Sequence, residues 1–150
     1  MTSHKAPGAP SERDPQPSEQ DQEVAKNAGL LPQEVVLLRE ALLAARDAIE
    51  RKRSAHVDAA LPSESHLADE MDLASRDQEM GFALLLAGKD QNLGSEIDAA
   101  LKRMSDGCYG LCEGTDEPIG FRRLEARPWT RYSVGYQEQL EREERAYTGR

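Results

Sequence analysis

The sequence predicts a mainly α protein: a long antiparallel helical hairpin with coiled-coil spacing, then a small module and a C-terminal helix. Apolar residues recur at helical spacing in two long segments separated by Pro62. Six of the seven aromatic residues fall between Tyr109 and Tyr147, which indicates a compact module after the hairpin. The composition, 38% hydrophobic and 31% charged, suits elongated helices better than a thick globular core.

The first helix of the hairpin is expected to begin at Pro32, a residue that the first turn of a helix tolerates. Apolar positions then alternate in steps of three and four, which places them along one seam: Val35, Leu38, Leu42, Ala45 and Ile49. Lys52 and His56 continue the same register, so the seam turns polar toward the loop.

The second helix is predicted from about Asp72 to Ser105. Ile97 and Met104 form the row that can face the first helix, with Asp90 in the same row. Three interior glycines should soften the pairing toward the loop, since each costs up to about 1 kcal/mol relative to Ala: Gly81, Gly88 and Gly94. We therefore assign residues 31–106 to a hairpin with an acidic tip and residues 107–150 to the module and C-terminal helix, which begins near Ser133.

Residues 1–30 carry four of the eight prolines and few bulky apolar side chains. Such a segment buries little surface to offset its loss of chain entropy, so we expect a disordered N-terminal tail.

The formal net charge of -9 opposes binding to the phosphate backbone of DNA, because that affinity comes from clustered Lys and Arg. No apolar run reaches the roughly 18 residues of a membrane span, and the chain does not open on a leader-like segment. These features predict a cytoplasmic protein. Its two cysteines should be reduced thiols or metal ligands.

The segment "IGFRRLEARP", Ile119 to Pro128, together with "GLCE" before it, resembles the finger of the DksA/TraR family of bacterial RNA polymerase regulators. The family pattern is close to G-x-C-x-x-C-G-x-x-I-x-x-x-R-L-x-A-x-P followed by C-x-x-C, with a long helical hairpin before it. The resemblance extends upstream to about residue 34. It implies that the module is zinc-finger-like.

The four family cysteine positions fall on Cys112, Thr115, Ser133 and Tyr136, so one cysteine remains. Structural zinc requires four thiolate or imidazole ligands, and neutral hydroxyls are poor substitutes. Cys108 could add a second sulfur, and carboxylates of Glu113, Asp116 and Glu117 could contribute, all from one side of the knuckle. We therefore expect a degenerate finger that binds no zinc and requires no other cofactor.

A small apolar core is expected to replace the metal, because a structural zinc site can contribute on the order of 10 kcal/mol to folding. The candidates are Tyr109, Leu111, Ile119, Phe121, Leu124, Trp129, Tyr132 and Tyr136.

Family members also carry the pattern D-x-x-D-x-A at the start of the second helix, which falls here on Asp69, Asp72 and Ala74 without a gap. Without the resemblance, the two aspartates would be a helix cap and a first-turn acid, which is the usual meaning of such residues. With it, they are expected to form a tip that lies near the polymerase active site.

The resemblance implies a monomeric transcription regulator that inserts its hairpin into the secondary channel of RNA polymerase and changes promoter-complex stability. We expect no enzymatic activity, because no nucleophile, base and orienting residue can be assembled. Two alternatives remain: a transcript-cleavage-type factor acting in the same channel, and an adaptor whose hairpin binds an unrelated helical partner.

The resemblance also implies a place in the stringent response, through the alarmone ppGpp. One arginine expected to contact the nucleotide is kept as Arg127, but two positions that are lysine in responsive members are Glu96 and Gln137. Arg122, Arg123 and Arg131 are nearby basic residues that could compensate. We expect ppGpp to bind weakly, because charge-assisted contacts dominate phosphate recognition.

Overall fold

The computed structural model describes residues 15–59 and 70–149, which form five helices. The helices are α1 (Glu19–Ala28), α2 (Pro32–Ala59), α3 (Glu70–Asp106), α4 (Phe121–Ala126) and α5 (Val134–Thr148). None of these helices is long and apolar enough to cross a membrane. Helices α2 and α3 pack against each other as the predicted antiparallel hairpin, and the predicted bounds of both hold to within a few residues where they are described.

The predicted seam of α2 is confirmed, because Val35, Leu38 and Leu42 are buried and Ala45 and Ile49 pack against the same core. On α3 the buried apolar residues are Ile97, Ala100 and Met104. Toward the loop the seam becomes ionic. Arg46 lies 3.1 Å from Asp98, and Lys52 lies 3.9 Å from Asp90.

The N-terminal segment differs from the sequence prediction. Residues 19–28 form α1, which packs on α2 and α3, so the prediction of a disordered tail is wrong for this part of residues 1–30. Residues 1–14 lie outside the described part of the chain. Helix α1 forms because Ser18 and Asp21 make a reciprocal capping box and Gly29 ends the helix at a φ of 65°.

Burial then holds α1 in place. Val24, Ala25 and Ala28 are buried against the hairpin, and the Asp21 carboxylate forms a 2.5 Å ion pair with Arg39 of α2. The Asn27 side chain donates to the Gly107 carbonyl at 3.0 Å, so α1 also contacts the chain where α3 ends.

The module after α3 packs onto the base of the hairpin. Tyr109 and Leu124 are buried in the same cluster as Met104, while Ile119, Phe121 and Trp129 pack against it. The apolar residues predicted to form a core of the module are thus partly shared with α1, α2 and α3. Helix α5 begins after Ser133, whose hydroxyl accepts from the Tyr136 backbone N–H, and none of its residues is buried.

Candidate functional site

The module opens with a tight, hydrogen-bonded knuckle. Leu111 and Pro118 form an isolated antiparallel bridge, and the Ile119 N–H donates to the Gly110 carbonyl at 2.8 Å. Inside this bridge the Cys112 N–H donates to the Glu117 carbonyl, also at 2.8 Å. The backbone therefore follows a closed turn over residues 110–119, held by its own hydrogen bonds.

Three of the four family ligand positions meet at one point of this knuckle. Cys112 is buried, and its sulfur is hydrogen-bonded by the side chains of Thr115 and Ser133 and by the backbone of Ser133 and Gly114. Burial alone would raise the pKa of the Cys112 thiol, but these hydrogen bonds outweigh it and lower the pKa from 9.0 to about 7. The site is thus built to hold one thiol or thiolate.

Tyr136, at the fourth ligand position, lies with its ring against the backbone of Gly114. A Cβ placed on Gly114 would lie 2.2 Å from Cζ of that ring, which leaves no room for any side chain there. The ring also packs against Tyr132, with centroids 5.2 Å apart and planes tilted by 49°. The phenol ring thus covers the glycine face of the knuckle.

This donor set does not fit zinc. A structural zinc ion is held by four sulfur or nitrogen ligands, whereas these positions offer one sulfur, two hydroxyls and a ring packed on glycine. Among residues 15–59 and 70–149, no group of three or more His, Cys, Asp or Glu side chains is arranged to hold a metal ion. The Glu113 carboxylate, a possible ligand from the sequence, instead pairs with arginines.

Cys108 is exposed, in contrast to buried Cys112. Its backbone N–H donates to the Arg103 carbonyl at 3.1 Å, which places it at the C-terminal end of α3.

A cluster that the sequence did not predict joins the knuckle to α3 and to the chain before α5. Arg103 of α3 is 9% exposed and its Nη1 lies 3.3 Å from Glu113 Oε1. Arg131 binds the other carboxylate oxygen, with Nη2 at 2.7 Å and Nε at 2.9 Å. The one sequence signal for a buried ion pair was that Arg103 stands beside the apolar positions Ala100 and Met104.

The predicted tip lies at the other end of the hairpin. Asp72 is in the first turn of α3, which favours negative charge, and both Asp72 and Ala74 are exposed. Asp69 lies outside the described residues. From Asp72 to Met104 the helix rises about 48 Å at 1.5 Å per residue, so the tip and the knuckle are at opposite ends of a rod.

The positions expected to meet the alarmone lie near the module. Arg127 is exposed at the end of α4, and Gln137 of α5 donates to Glu141 at 3.1 Å. Glu96 is exposed on α3, close enough to Arg131 to help raise the pKa of that guanidinium after the larger effect of Glu113. Arg131, one of the basic residues that could compensate, is therefore already surrounded by carboxylates.

Comparison with known proteins agrees with this architecture. The family model for the prokaryotic dksA/traR C4-type zinc finger matches residues 107–142. A Caulobacter vibrioides protein named RNA polymerase-binding transcription factor DksA is 40% identical over 109 residues, covering 73% of this chain and 77% of that protein. The Escherichia coli K12 protein of the same name is 32% identical over 83 residues, or 55% of this chain and 52% of that protein.

The solved structure of transcription factor DksA2 from Pseudomonas aeruginosa superposes with a TM-score of 0.66 and 32% identity. The superposition covers 85% of this chain and 99% of that one. Sequence, hairpin and finger therefore agree, and the chain belongs to the DksA/TraR family.

Proposed function

We propose that this protein binds RNA polymerase and regulates transcription, as the names of its relatives say of them. The observation that carries the proposal is the separation of two distinct features along one rod. An exposed Asp72 and Ala74 stand at one end of the hairpin, and the finger with α5 stands at the other.

The hairpin, residues 31–106, enters the secondary channel of the polymerase and brings Asp69, Asp72 and Ala74 near the active site. The finger and C-terminal helix, residues 107–150, remain outside on the channel rim. By binding one conformation of the promoter complex better than another, the protein shifts the equilibrium between open complexes and their precursors. This mechanism requires no chemical step by the protein, which is therefore a regulator and not an enzyme.

Charge supports a protein partner. The formal net charge of -9 complements a positively lined channel and opposes binding to DNA phosphates. The protein acts as a monomer, because a rod inserted in a channel presents its whole length to the polymerase.

We further propose that the finger is metal-free. Two contacts support this proposal. Thr115 and Ser133 donate hydrogen bonds to the Cys112 sulfur and offer no further metal ligands, and Tyr136 packs over Gly114. Neutral oxygens of this kind bind zinc poorly at neutral pH.

The response to ppGpp is weak in this proposal. A negative side chain at Glu96 and a neutral one at Gln137 stand where responsive members carry lysine, while Arg127 alone keeps its charge. Glu96 repels the phosphates and Gln137 offers no positive charge to them. The loss of these two contacts weakens phosphate binding by more than the single contact of Arg127 strengthens it.

The experiment is direct binding of the full chain to core RNA polymerase, followed by competition with a known secondary-channel ligand. We expect saturable binding that the competitor abolishes. Binding that persists at saturating competitor would move the contact elsewhere on the polymerase, and no binding would support a different helical partner. A transcript-cleavage assay on stalled complexes should stay at the level of polymerase alone.

A further inference from the structure

The Glu113 carboxylate contacts parts of the chain that are distant in sequence. One oxygen accepts from Arg103 of α3 at 3.3 Å, and the other accepts from Arg131 at 2.7 and 2.9 Å. The Glu113 backbone N–H donates to the Arg131 carbonyl at 3.0 Å, so main chain and side chain both join the knuckle to the segment before α5.

Arg103 makes a second set of contacts with that segment. Its Nη2 donates to the carbonyls of Trp129 and Thr130 at 3.3 and 3.4 Å. The guanidinium is thus shared between the first half of the finger, through Glu113, and the second half, through two carbonyl oxygens. A planar guanidinium with five N–H donors can make such divided contacts, whereas lysine cannot reproduce their geometry.

We propose that the Arg103–Glu113–Arg131 cluster is the cross-link that closes this finger, in the role that a metal ion has in a four-cysteine finger. Like such an ion, the cluster ties the two halves of the finger to each other. Unlike the ion, it also ties them to α3, because Arg103 belongs to the last turns of that helix.

Burial of Arg103 makes its pair with Glu113 more than a surface ion pair, whereas the Arg131 side chain is half exposed. The Arg103 side chain is 11% exposed and that of Glu113 is 32% exposed, so water screens their interaction only in part. Burial lowers the pKa of Arg103, and the charge of Glu113 opposes that effect, which is the pattern of a desolvated cation held by its partner. Removing Glu113 would leave that cation largely buried without its counter-charge.

The cluster also sets the direction of α5 relative to the hairpin. Arg131 precedes the Ser133 cap of α5 by two residues, and Arg103 lies near the C-terminal end of α3. Glu113 therefore connects the start of α5 to the end of α3. This inference rests on the proposed function, in which the finger and α5 dock on the channel rim and the hairpin enters the channel. Glu113 then positions the finger and α5 relative to the hairpin.

The test is hydrogen exchange measured by mass spectrometry on the free full-length protein in chelator, for peptides covering residues 107–137. The informative amides are those of Cys112, Glu113 and Ile119, whose hydrogen bonds close the knuckle. We expect Glu113→Gln to raise the exchange rates of the finger about tenfold or more, since a hydrogen bond to a charged group contributes about that factor. Peptides from residues 35–50 should be unchanged.

Glu117→Gln is the matched control, because it removes the same charge from the same knuckle and its side chain makes no ion pair within residues 15–59 and 70–149. Equal exchange in the two variants would overturn the proposal. If Glu113→Gln fails to fold, Arg131→Lys and Arg131→Gln provide the same comparison, since the bidentate contact is lost in the first and all charge in the second. Exchange no faster in Arg131→Gln than in the unaltered chain would also overturn it.

Polymerase binding is measured separately, so that the two proposals can fail independently. Faster exchange in Glu113→Gln supports the cross-link whether or not the unaltered protein binds polymerase. An unaltered protein that does not bind polymerase overturns the proposed function and leaves the exchange result intact.

Discussion

The ring of Tyr136 lies directly on the backbone of Gly114, and a Cβ on that glycine would come within 2.2 Å of Cζ of the ring. Gly114 is not among the glycines with positive φ, so space and not backbone conformation requires glycine here. The contact joins the knuckle to α5 at the position that, by the resemblance, corresponds to the fourth family cysteine. Aromatic packing thus covers the knuckle at Gly114.

Gly114→Ala should therefore displace the Tyr136 ring and destabilise the finger by about 1–3 kcal/mol, the usual cost of overpacking. Urea unfolding followed by the fluorescence of Trp129, the one tryptophan in the sequence, measures this. Gly135→Ala is the control. A Cβ there meets nothing within 4 Å and the residue is helical, so that variant should be neutral or slightly more stable. Equal stability of the two variants would contradict the packing.

The hairpin and the finger could be predicted from the sequence because both depend on local spacing. The seam from Val35 to Ile49 follows a three-four repeat, and the finger follows a contiguous decapeptide. Helix α1 was missed because the prolines before it dominate the composition of residues 1–30. Its signals were present in Ser18-x-x-Asp21, the spacing of Val24 and Ala28, and Gly29.

The contacts that close the finger could not be predicted in the same way. Glu113 meets Arg103 ten residues before it and Arg131 eighteen residues after it, and no local spacing rule relates those positions. Gly114 and Tyr136 are likewise brought together only by the return of the chain through α4. Such pairs follow from the backbone path of the whole module.

Asp21 should stabilise α1 in a pH-dependent way. Burial raises the pKa of this carboxyl, but hydrogen bonds from Ser18 and the charge of Arg39 outweigh burial, and the pKa falls below 3.8. A depressed carboxyl pKa contributes stability that is present above the unfolded value and lost as pH falls through the folded value. Asp21→Asn should cost about 1.5–3 kcal/mol at pH 7.

The pH dependence distinguishes this interaction from a simple loss of packing. The difference in unfolding free energy between the unaltered protein and Asp21→Asn should shrink as pH falls below about 4, measured by urea unfolding with circular dichroism. A difference that stays constant down to pH 2 would show that the Asp21 charge is not the cause. Glu19→Gln, an exposed first-turn acid of α1, is the matched control and should have a small effect at every pH.

Metal removal should leave the protein unchanged. Protein purified without chelator is expected to contain far less than one zinc per chain, and adding a chelator should not shift the melting temperature. The reason is the donor set, in which one thiol is surrounded by hydroxyl and amide donors. Elemental analysis by mass spectrometry together with a thermal melt measures both. Stoichiometric zinc would contradict the metal-free finger and would point to Cys112 with Cys108 and nearby carboxylates.

The alarmone should add little to the effect of the protein on promoter complexes. With a polymerase whose other ppGpp site has been removed, we expect open-complex lifetimes with the protein to change less than twofold on adding ppGpp. Glu96→Lys combined with Gln137→Lys should create a response, because each restores a cation near the phosphates. Strong synergy in the unaltered protein would show that the substituted positions do not control the response.

The most direct test of the central claim is the lifetime of open promoter complexes with the unaltered protein and with Asp72→Asn, each at a concentration that saturates its measured binding to polymerase. The account predicts that the unaltered protein changes the lifetime and that Asp72→Asn does not, although its affinity for polymerase stays within a few fold. The exposed Asp77, further along α3, gives the control variant Asp77→Asn, which should regulate normally. An Asp72→Asn protein that changes the lifetime as much as the unaltered chain would contradict the assignment of the tip.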